Sequence, residues 1–251
     1  MTAIVRQYIL KGFVIAADGL KVHSESPALN VDTAQKIIRL DGKGKRLACS
    51  CSGFTQITLD DGEEMAIDFM LEAKTASDRL YYRTYRDLRR YAIALSDSIS
   101  AKLEEIKRHG KITEYPGSPP LSMENSFTIA ELFLDGFYED LPSRVAIRFH
   151  HDQQSLLEPE ILDQPFTLGN LIVQGPRTPG FMVLQRCVPH SLDEAVDEAT
   201  RYINSCSDPD SKAIDPEACA KIGGHIHVAT ITKDAGFQWA IPPIVEEYPA
   251  A

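Results

Sequence analysis

Apolar and polar positions alternate through much of the first fifty residues, a pattern typical of β-strands. The opening segment predicts a β-hairpin, because two such strands flank a tight turn at Lys11-Gly12. A polar stretch over 21–30 that contains Pro27 predicts a loop, and a Gly-Lys turn over 41–45 joins the next two strands. The four predicted strands cover residues 3–10, 13–17, 33–40 and 46–52.

The period changes after residue 87, where apolar residues recur three and four positions apart. This stripe, from Leu88 to Ile106, predicts one long helix that lies on a sheet. Ser191 followed by Glu194 forms a capping-box pattern and predicts a second helix. Later strands are predicted over 127–134, 143–150, 225–232 and 237–241.

This order of strands, helix, strands, helix and strands predicts one α+β domain over residues 1–251. Two stacked sheets are expected inside and the helices outside. Residues 109–126 hold three prolines and two glycines. They predict a connection longer than usual and a possible loop insertion, either with a binding role or only as a spacer.

The composition narrows the class of protein. Of the 251 residues, 43% are hydrophobic, and 26 Lys and Arg against 36 Asp and Glu give a net charge of −10. A general nucleic-acid binder needs clustered cations, so nucleic acid is not expected as a partner. An arginine-rich surface around Arg79 to Arg90 indicates a solvated, ion-paired face or a subunit contact.

No membrane partner is expected either, because no apolar stretch reaches about 18 residues and the first residues lack a secretory pattern. The protein is therefore predicted to be cytoplasmic. Its cysteines are odd in number, which favours reduced thiols. They are Cys49, Cys51, Cys187, Cys206 and Cys219.

Candidate chemistry begins at Thr2. Removal of Met1, which is expected before a small residue, would leave Thr2 with both a hydroxyl and a free α-amine. An α-amine titrates near pH 8, so it can accept the hydroxyl proton and make Thr2 its own nucleophile and base. Threonine in second position is also common without any such role.

Further residues match a known pattern in order. The segment 11–19, KGFVIAADG, places Asp18 after an apolar strand, and 32–38, DTAQKII, places Lys36 before an apolar pair. Together with Thr2, these segments resemble the opening of proteasome β-type subunits, members of the N-terminal-nucleophile (Ntn) threonine hydrolases. The resemblance covers residues 2–53 closely and 222–241 loosely. α-Type subunits fit less well, because they carry an N-terminal extension.

The resemblance implies a four-layer αββα sandwich of mainly antiparallel sheets and a role for each matched residue. Thr2 would be the nucleophile, Lys36 would lower the pKa of its hydroxyl and amine, and Asp18 would neutralise and position Lys36. The end of the strand 47–53 would supply an oxyanion donor through Ser52 and Gly53. Amide bonds, most of all peptide bonds, would be cleaved through an acyl-enzyme, in a ring or stacked dimer of identical subunits and without a cofactor.

The second half departs from this family. Where its members carry an Asp and a Ser before a Gly-Gly pair, this chain has Cys219 and Ile222, and Pro176 stands where another serine is usual. These departures support an alternative hypothesis, a catalytically silent subunit that keeps the fold for assembly or binding. A thiol pair at Cys49 and Cys51 could hold a metal ion. So could histidines at 225 and 227 or at 150 and 151, although surface or core histidines are more common.

Overall fold

A computed structural model describes most of the chain. The described residues are 2–21, 31–53, 56–58, 65–108, 127–151, 159–164, 167–169, 171–176 and 188–245. The predicted insertion over 109–126 and nearly all of the predicted loop over 21–30 lie outside them.

Two five-stranded antiparallel sheets form the centre of the structure. The first sheet has the order β10-β1-β2-β11-β12. Its strands are β1 (Ile4–Ile9), β2 (Gly12–Ala17), β10 (Leu171–Gln174), β11 (His227–Thr232) and β12 (Gly236–Ile241). The turn between β1 and β2 requires glycine at position 12, where φ is +149° and a Cβ would lie 2.3 Å from the Ile231 carbonyl oxygen.

The second sheet has the order β3-β4-β7-β8-β9. Its strands are β3 (Ile37–Gly42), β4 (Lys45–Gly53), β7 (Phe127–Tyr138), β8 (Leu141–His151) and β9 (Glu160–Asp163). A separate pair is formed by β5 (Gln56–Thr58) and β6 (Met65–Asp68). Alternation along the strands divides the apolar side chains between the two faces of each sheet.

Helices cover both outer faces. The long helix α2 (Leu88–Arg108) and α1 (Phe69–Arg79) pack on the second sheet, and α3 (Leu192–Ser205) packs on the first. The remaining helices are α4 (Pro209–Ile214) and α5 (Pro216–Cys219). The inner faces of the sheets meet around Ile15, Phe133 and Ile231. The architecture is the predicted four-layer αββα sandwich.

The strand predicted over 33–40 begins later than expected, at Ile37. The N–H groups of two residues before it bond elsewhere: Ala34 N–H donates to the Gly19 carbonyl at 2.9 Å, and Lys36 N–H donates to His227 of the first sheet. The Lys36 carbonyl accepts the Cys51 N–H of β4. This crossing between the sheets positions the candidate site. Helix α1 was not predicted, and neither were the short elements β5, β6, β9, β10, α4 and α5, which have six residues or fewer and too few positions for a period to stand out. Among the described helices, none combines the length and the apolar content needed to cross a bilayer.

Candidate active site

Asp18 is the centre of the site. It follows the last residue of β2 and is completely buried. Its Oδ1 accepts hydrogen bonds from Ala3 N–H and from Lys36 Nζ, both at 2.9 Å, and its Oδ2 accepts one from Gly223 N–H at 3.3 Å. One carboxylate thus joins the start of β1, the approach to β3 and the glycine pair before β11.

Lys36 reaches Asp18 from the second sheet. Its Nζ also donates to the Leu20 carbonyl at 2.6 Å, and the side chain is 3% exposed. Burial lowers the pKa of Lys36 from its ordinary value, while the charge of Asp18 opposes this shift. An ammonium has three donors, so two of them hold protein oxygens and one is left for a further acceptor.

Thr2 directly precedes Ala3, the residue whose backbone bonds to Asp18. It is 6% exposed, and the next residue, Ala3, donates its N–H to Asp18. Within the described part of the chain, however, no hydrogen bond joins the Thr2 hydroxyl to Lys36 or Asp18. The structure therefore brings Asp18 and Lys36 into contact and places Thr2 next to them without a bond to its hydroxyl.

His227 belongs to the site, although the sequence offered it only as a possible metal ligand. Its Nε2 accepts the Lys36 backbone N–H at 3.0 Å, so the ring is neutral. Burial, with a smaller effect from the charge of Lys36, lowers the pKa of His227 to about 3. The signal that could have found it is register, because His227 pairs with Ala17, the residue before Asp18.

The candidate oxyanion residues lie at the end of β4. Ser52 pairs with Glu131 and Gly53 with Ala130, and Gly53 has φ +87° with the Ile129 carbonyl oxygen 2.5 Å from any added Cβ. This strained end of the strand is suited to a residue without a side chain. None of the contacts between described residues links Ser52 or Gly53 to Thr2, so their role stays a prediction.

The outer positions are apolar. Cys219 and Ile222 lie in the cluster under α3, and the Cys219 thiol points to the Ser211 carbonyl at 3.6 Å. The Pro176 carbonyl accepts the Tyr202 hydroxyl at 2.5 Å. Pro176 and Ile222 have no side-chain group that can donate or accept a hydrogen bond, and the Cys219 thiol is used on the Ser211 carbonyl. The bond from this region to Asp18 comes from the backbone N–H of Gly223.

The geometry of the described residues does not support the hypotheses of a metal site at the cysteines or histidines. Among the residues that the structure describes, no three His, Cys, Asp or Glu side chains are grouped to hold an ion. His225 turns to the Pro242 carbonyl at 2.8 Å while His227 faces Lys36. Cys49 and Cys51 are both buried on the helix side of the second sheet.

Solved structures share this architecture. An Anbu Gly-1 mutant from Hyphomicrobium sp. strain MC1 matches with a TM-score of 0.56 at 14% identity, over 99% of this chain and 90% of that one. Anbu from Yersinia bercovieri, described as an ancestral beta-subunit, matches with a TM-score of 0.57 at 12% identity, over 95% of this chain and 87% of that one. A chain from the helical assembly of the Anbu complex from Pseudomonas aeruginosa matches with a TM-score of 0.58 at 14% identity, over 98% of this chain and 88% of that one.

The chain has the proteasome-like fold of Anbu. No family model matches the sequence, and no curated protein does. The resemblance to proteasome β-type threonine hydrolases is therefore corrected: these structural neighbours are Anbu proteins, a distinct group with a proteasome-like Ntn fold. The matched segments around Asp18 and Lys36 therefore did not identify the family.

Proposed function

We propose that the protein is a subunit of a proteasome-like assembly of its own copies, in which the Asp18–Lys36 pair holds the two sheets together. The observation that carries the structural role of this pair is that the Lys36 ammonium contacts Asp18 and the Leu20 carbonyl and not the Thr2 hydroxyl. The lack of a carboxylate or hydroxyl at Pro176, Cys219 and Ile222 supports a subunit that is catalytically silent. The helical assembly of the similar Anbu complex supports self-association.

The segment between α1 and α2 is the proposed contact between subunits. It exposes Tyr82 at 85% and Tyr81 at 41%, and Arg79, Arg83, Arg86 and Arg90 are exposed beside them. Tyrosine and arginine are the residues that protein interfaces favour, and a chain of net charge −10 offers acidic surface to these cations.

The segment is also held rigid, which reduces the entropy lost on association. Lys45 is buried, and its Nζ donates to the carbonyls of Leu80, Tyr81 and Arg83 at 3.0, 3.3 and 3.1 Å. Tyr85 N–H donates to the Tyr138 hydroxyl at 2.9 Å, and that hydroxyl donates back to the Tyr85 carbonyl.

Light scattering on purified protein at micromolar concentration tests the assembly. We expect a mass of several subunits. Tyr82→Glu or Arg83→Glu should lower the apparent association constant of the subunits at least tenfold and so reduce the mass. Lys102→Glu, on the exposed face of α2, is the matched control and should leave the mass unchanged. A monomer at all concentrations would overturn the proposal.

A second candidate function is amide-bond hydrolysis at Thr2. It is favoured by the position of Thr2 next to Ala3, because the Ala3 N–H and the Lys36 ammonium both donate to Asp18 Oδ1. The Lys36 ammonium keeps a third proton for a further acceptor. Hydrolysis requires a free amine on Thr2, so the intact mass must first show the loss of Met1. Labelling by an epoxyketone or a β-lactone should then occur in the unaltered protein and in Thr2→Ser, and disappear in Thr2→Ala. If the processed protein forms no adduct, this second function is excluded and the first is unaffected.

A further inference from the structure

Charge is distributed unequally between the two outer helix layers. The layer on the second sheet includes the basic segment 79–90 between α1 and α2, whose Arg89 pairs with Asp163 at 2.9 Å. The one carboxylate of this segment, that of Asp87, accepts the Arg90 backbone N–H at 2.9 Å. Four exposed arginines of the segment form no ion pair with a described residue: Arg79, Arg83, Arg86 and Arg90. The basic segment therefore carries an excess of positive charge.

Helices α4 and α5, in the layer on the first sheet, present the opposite charge. Residues 208–217, which form the α4–α5 surface, hold four carboxylates and one lysine. Ile214 lies in the same stretch and is 61% exposed, as Tyr82 is exposed within the basic segment. Each surface thus combines an exposed side chain of large apolar area with charges around it, as protein interfaces do. Three exposed carboxylates of the α4–α5 surface form no ion pair with a described residue: Asp208, Asp210 and Glu217.

The α4–α5 surface is held in place by its own buried contacts. Ser211 is 1% exposed, and its carbonyl oxygen lies 3.6 Å from the Cys219 thiol. Asp215 Oδ1 accepts the Ala218 N–H at 3.1 Å and so caps α5. Cys219 itself packs beneath α3. Because the backbone is already fixed, little conformational entropy is lost when a partner binds here.

The basic segment and the α4–α5 surface lie at opposite ends of the sandwich as well as on opposite sides. The basic segment is bound by Lys45, the first residue of β4. The far end of β4 lies at the candidate site, where Cys51 N–H donates to the Lys36 carbonyl. The α4–α5 surface belongs to that end, because Gly223, four residues after α5, donates to Asp18. The two surfaces therefore face away from each other, and one neighbouring copy cannot cover both.

We propose that the basic segment of one copy docks on the α4–α5 surface of the next copy, head to tail. This inference rests on the proposed function, which makes the basic segment a subunit contact, and it adds the surface that receives that segment. Charges that are unpaired in one copy are then paired in the assembly, and Tyr82 packs near Ile214. Because every copy carries one of each surface, the contact repeats from copy to copy and forms a ring or a helical filament.

Two variants, studied singly and mixed, test this pairing by native mass spectrometry. Arg83→Glu disables the basic segment and Ile214→Glu disables the α4–α5 surface, and both replace exposed side chains, so the fold should be kept. Each variant alone should lower the apparent association constant at least tenfold. An equimolar mixture should form a dimer with one chain of each variant and nothing larger, because only one pair of intact surfaces remains.

Leu10→Glu is the matched control, because it adds the same charge at an apolar position that is 84% exposed and belongs to neither surface. It should assemble like the unaltered protein. Thermal unfolding of each variant should give the Tm of the unaltered protein at a concentration where all are monomeric, which shows that the variants are folded.

The failure of this inference is distinguishable from the failure of the proposed function. If the unaltered protein assembles and Ile214→Glu assembles equally well, the α4–α5 surface is not the partner, and the proposed function still stands. A mixture that stays monomeric, or that builds particles of more than two chains, also overturns the head-to-tail pairing. If the unaltered protein is itself monomeric, the proposed function fails and this inference fails with it.

Discussion

Single residues with several partners hold the candidate site together. Asp18 accepts three hydrogen bonds from three separate segments, and Lys36 is the charged one of these donors. The pair is almost fully buried, so each charge depends on the other for compensation.

Lys36→Met should therefore lower the free energy of unfolding by about 3–5 kcal/mol, because it leaves the buried Asp18 carboxylate without its cation. Urea denaturation measures this. Lys102→Met, which breaks an exposed pair with Glu105, should change stability by about 0.5 kcal/mol or less. Equal effects of the two variants would contradict the structural role of Lys36.

His227 predicts a pH dependence. Its pKa is lowered from 6.5 to about 3 in the folded state, so below pH 6.5 the unfolded chain binds a proton that the folded chain does not. Stability must therefore fall as the pH falls from about 6.5 towards 3. At pH 5 the loss attributable to His227 is about 2 kcal/mol relative to pH 8.

His227→Gln should flatten the difference in unfolding free energy between pH 8 and pH 5, since the amide oxygen can still accept the Lys36 N–H but does not titrate. His225→Gln is the matched control, two residues away, and should keep the wild-type difference. If both variants behave like the unaltered protein, the neutral buried state of His227 is refuted.

At the scale of elements, helix α1 is fixed at both ends by side chains. Asp68 caps the first turn, where its Oδ1 accepts N–H bonds from Met70 and Leu71 at 2.9 Å each. At the other end, Lys45 from β4 binds the Leu80 carbonyl. An anion at the N-terminus and a cation at the C-terminus both suit the helix dipole.

Asp68→Ala should cost about 1–2 kcal/mol of unfolding free energy, because it removes the acceptor of two N–H groups at a site that is 5% exposed. Asp68→Asn retains a capping oxygen and should recover most of that loss. Thermal or urea unfolding of the two variants decides the matter: an equal loss in both would show that the charge and not the cap is what stabilises α1.

At the scale of the whole molecule, the thiols report on global opening. Cys49, Cys51, Cys206 and Cys219 are reduced, buried thiols. Burial raises the pKa of Cys206 to about 12 and raises the pKa of Cys51 by more. Because the thiolate is the reactive form, these side chains should be inert in the folded protein.

In a Cys187→Ser background, a thiol reagent should modify the four cysteines only in denaturant. Leu10→Cys, at a position 84% exposed, should react at once and serves as the positive control. Mass-spectrometric detection of a modified Cys219 under native conditions would contradict the packing under α3.

The resemblance predicted Asp18 and Lys36, and the structure joins them, because in this fold an apolar strand that ends in Asp lies beside the approach to a second strand. The same signal led to the wrong family, since features that hold a fold together recur in proteins that share only that fold. Asp18 and Lys36 are 18 residues apart, so their contact depends on few elements.

Local periodicity determined most of the architecture. Alternation with a period of two and the stripe from Leu88 identified the principal strands and the long helix, because burial of one face repeats over every turn or pleat. It missed α1 and began β3 four residues early, because the N–H groups of Ala34 and Lys36 bond to Gly19 and His227 rather than to the second sheet.

Only the tertiary structure decided which distant residues meet. His227 lies 191 residues from Lys36, and Arg6 lies 129 residues from Asp135. Each of these side chains has an ordinary sequence context, and its partner follows from sheet order and register, which are set by the packing of the whole chain. For this reason the sequence by itself determined the layers and the Asp18–Lys36 pair, whereas the bond of Lys36 to His227 and the ion pairs of Asp135 with Arg6 and Arg144 emerged only when the strands were in place.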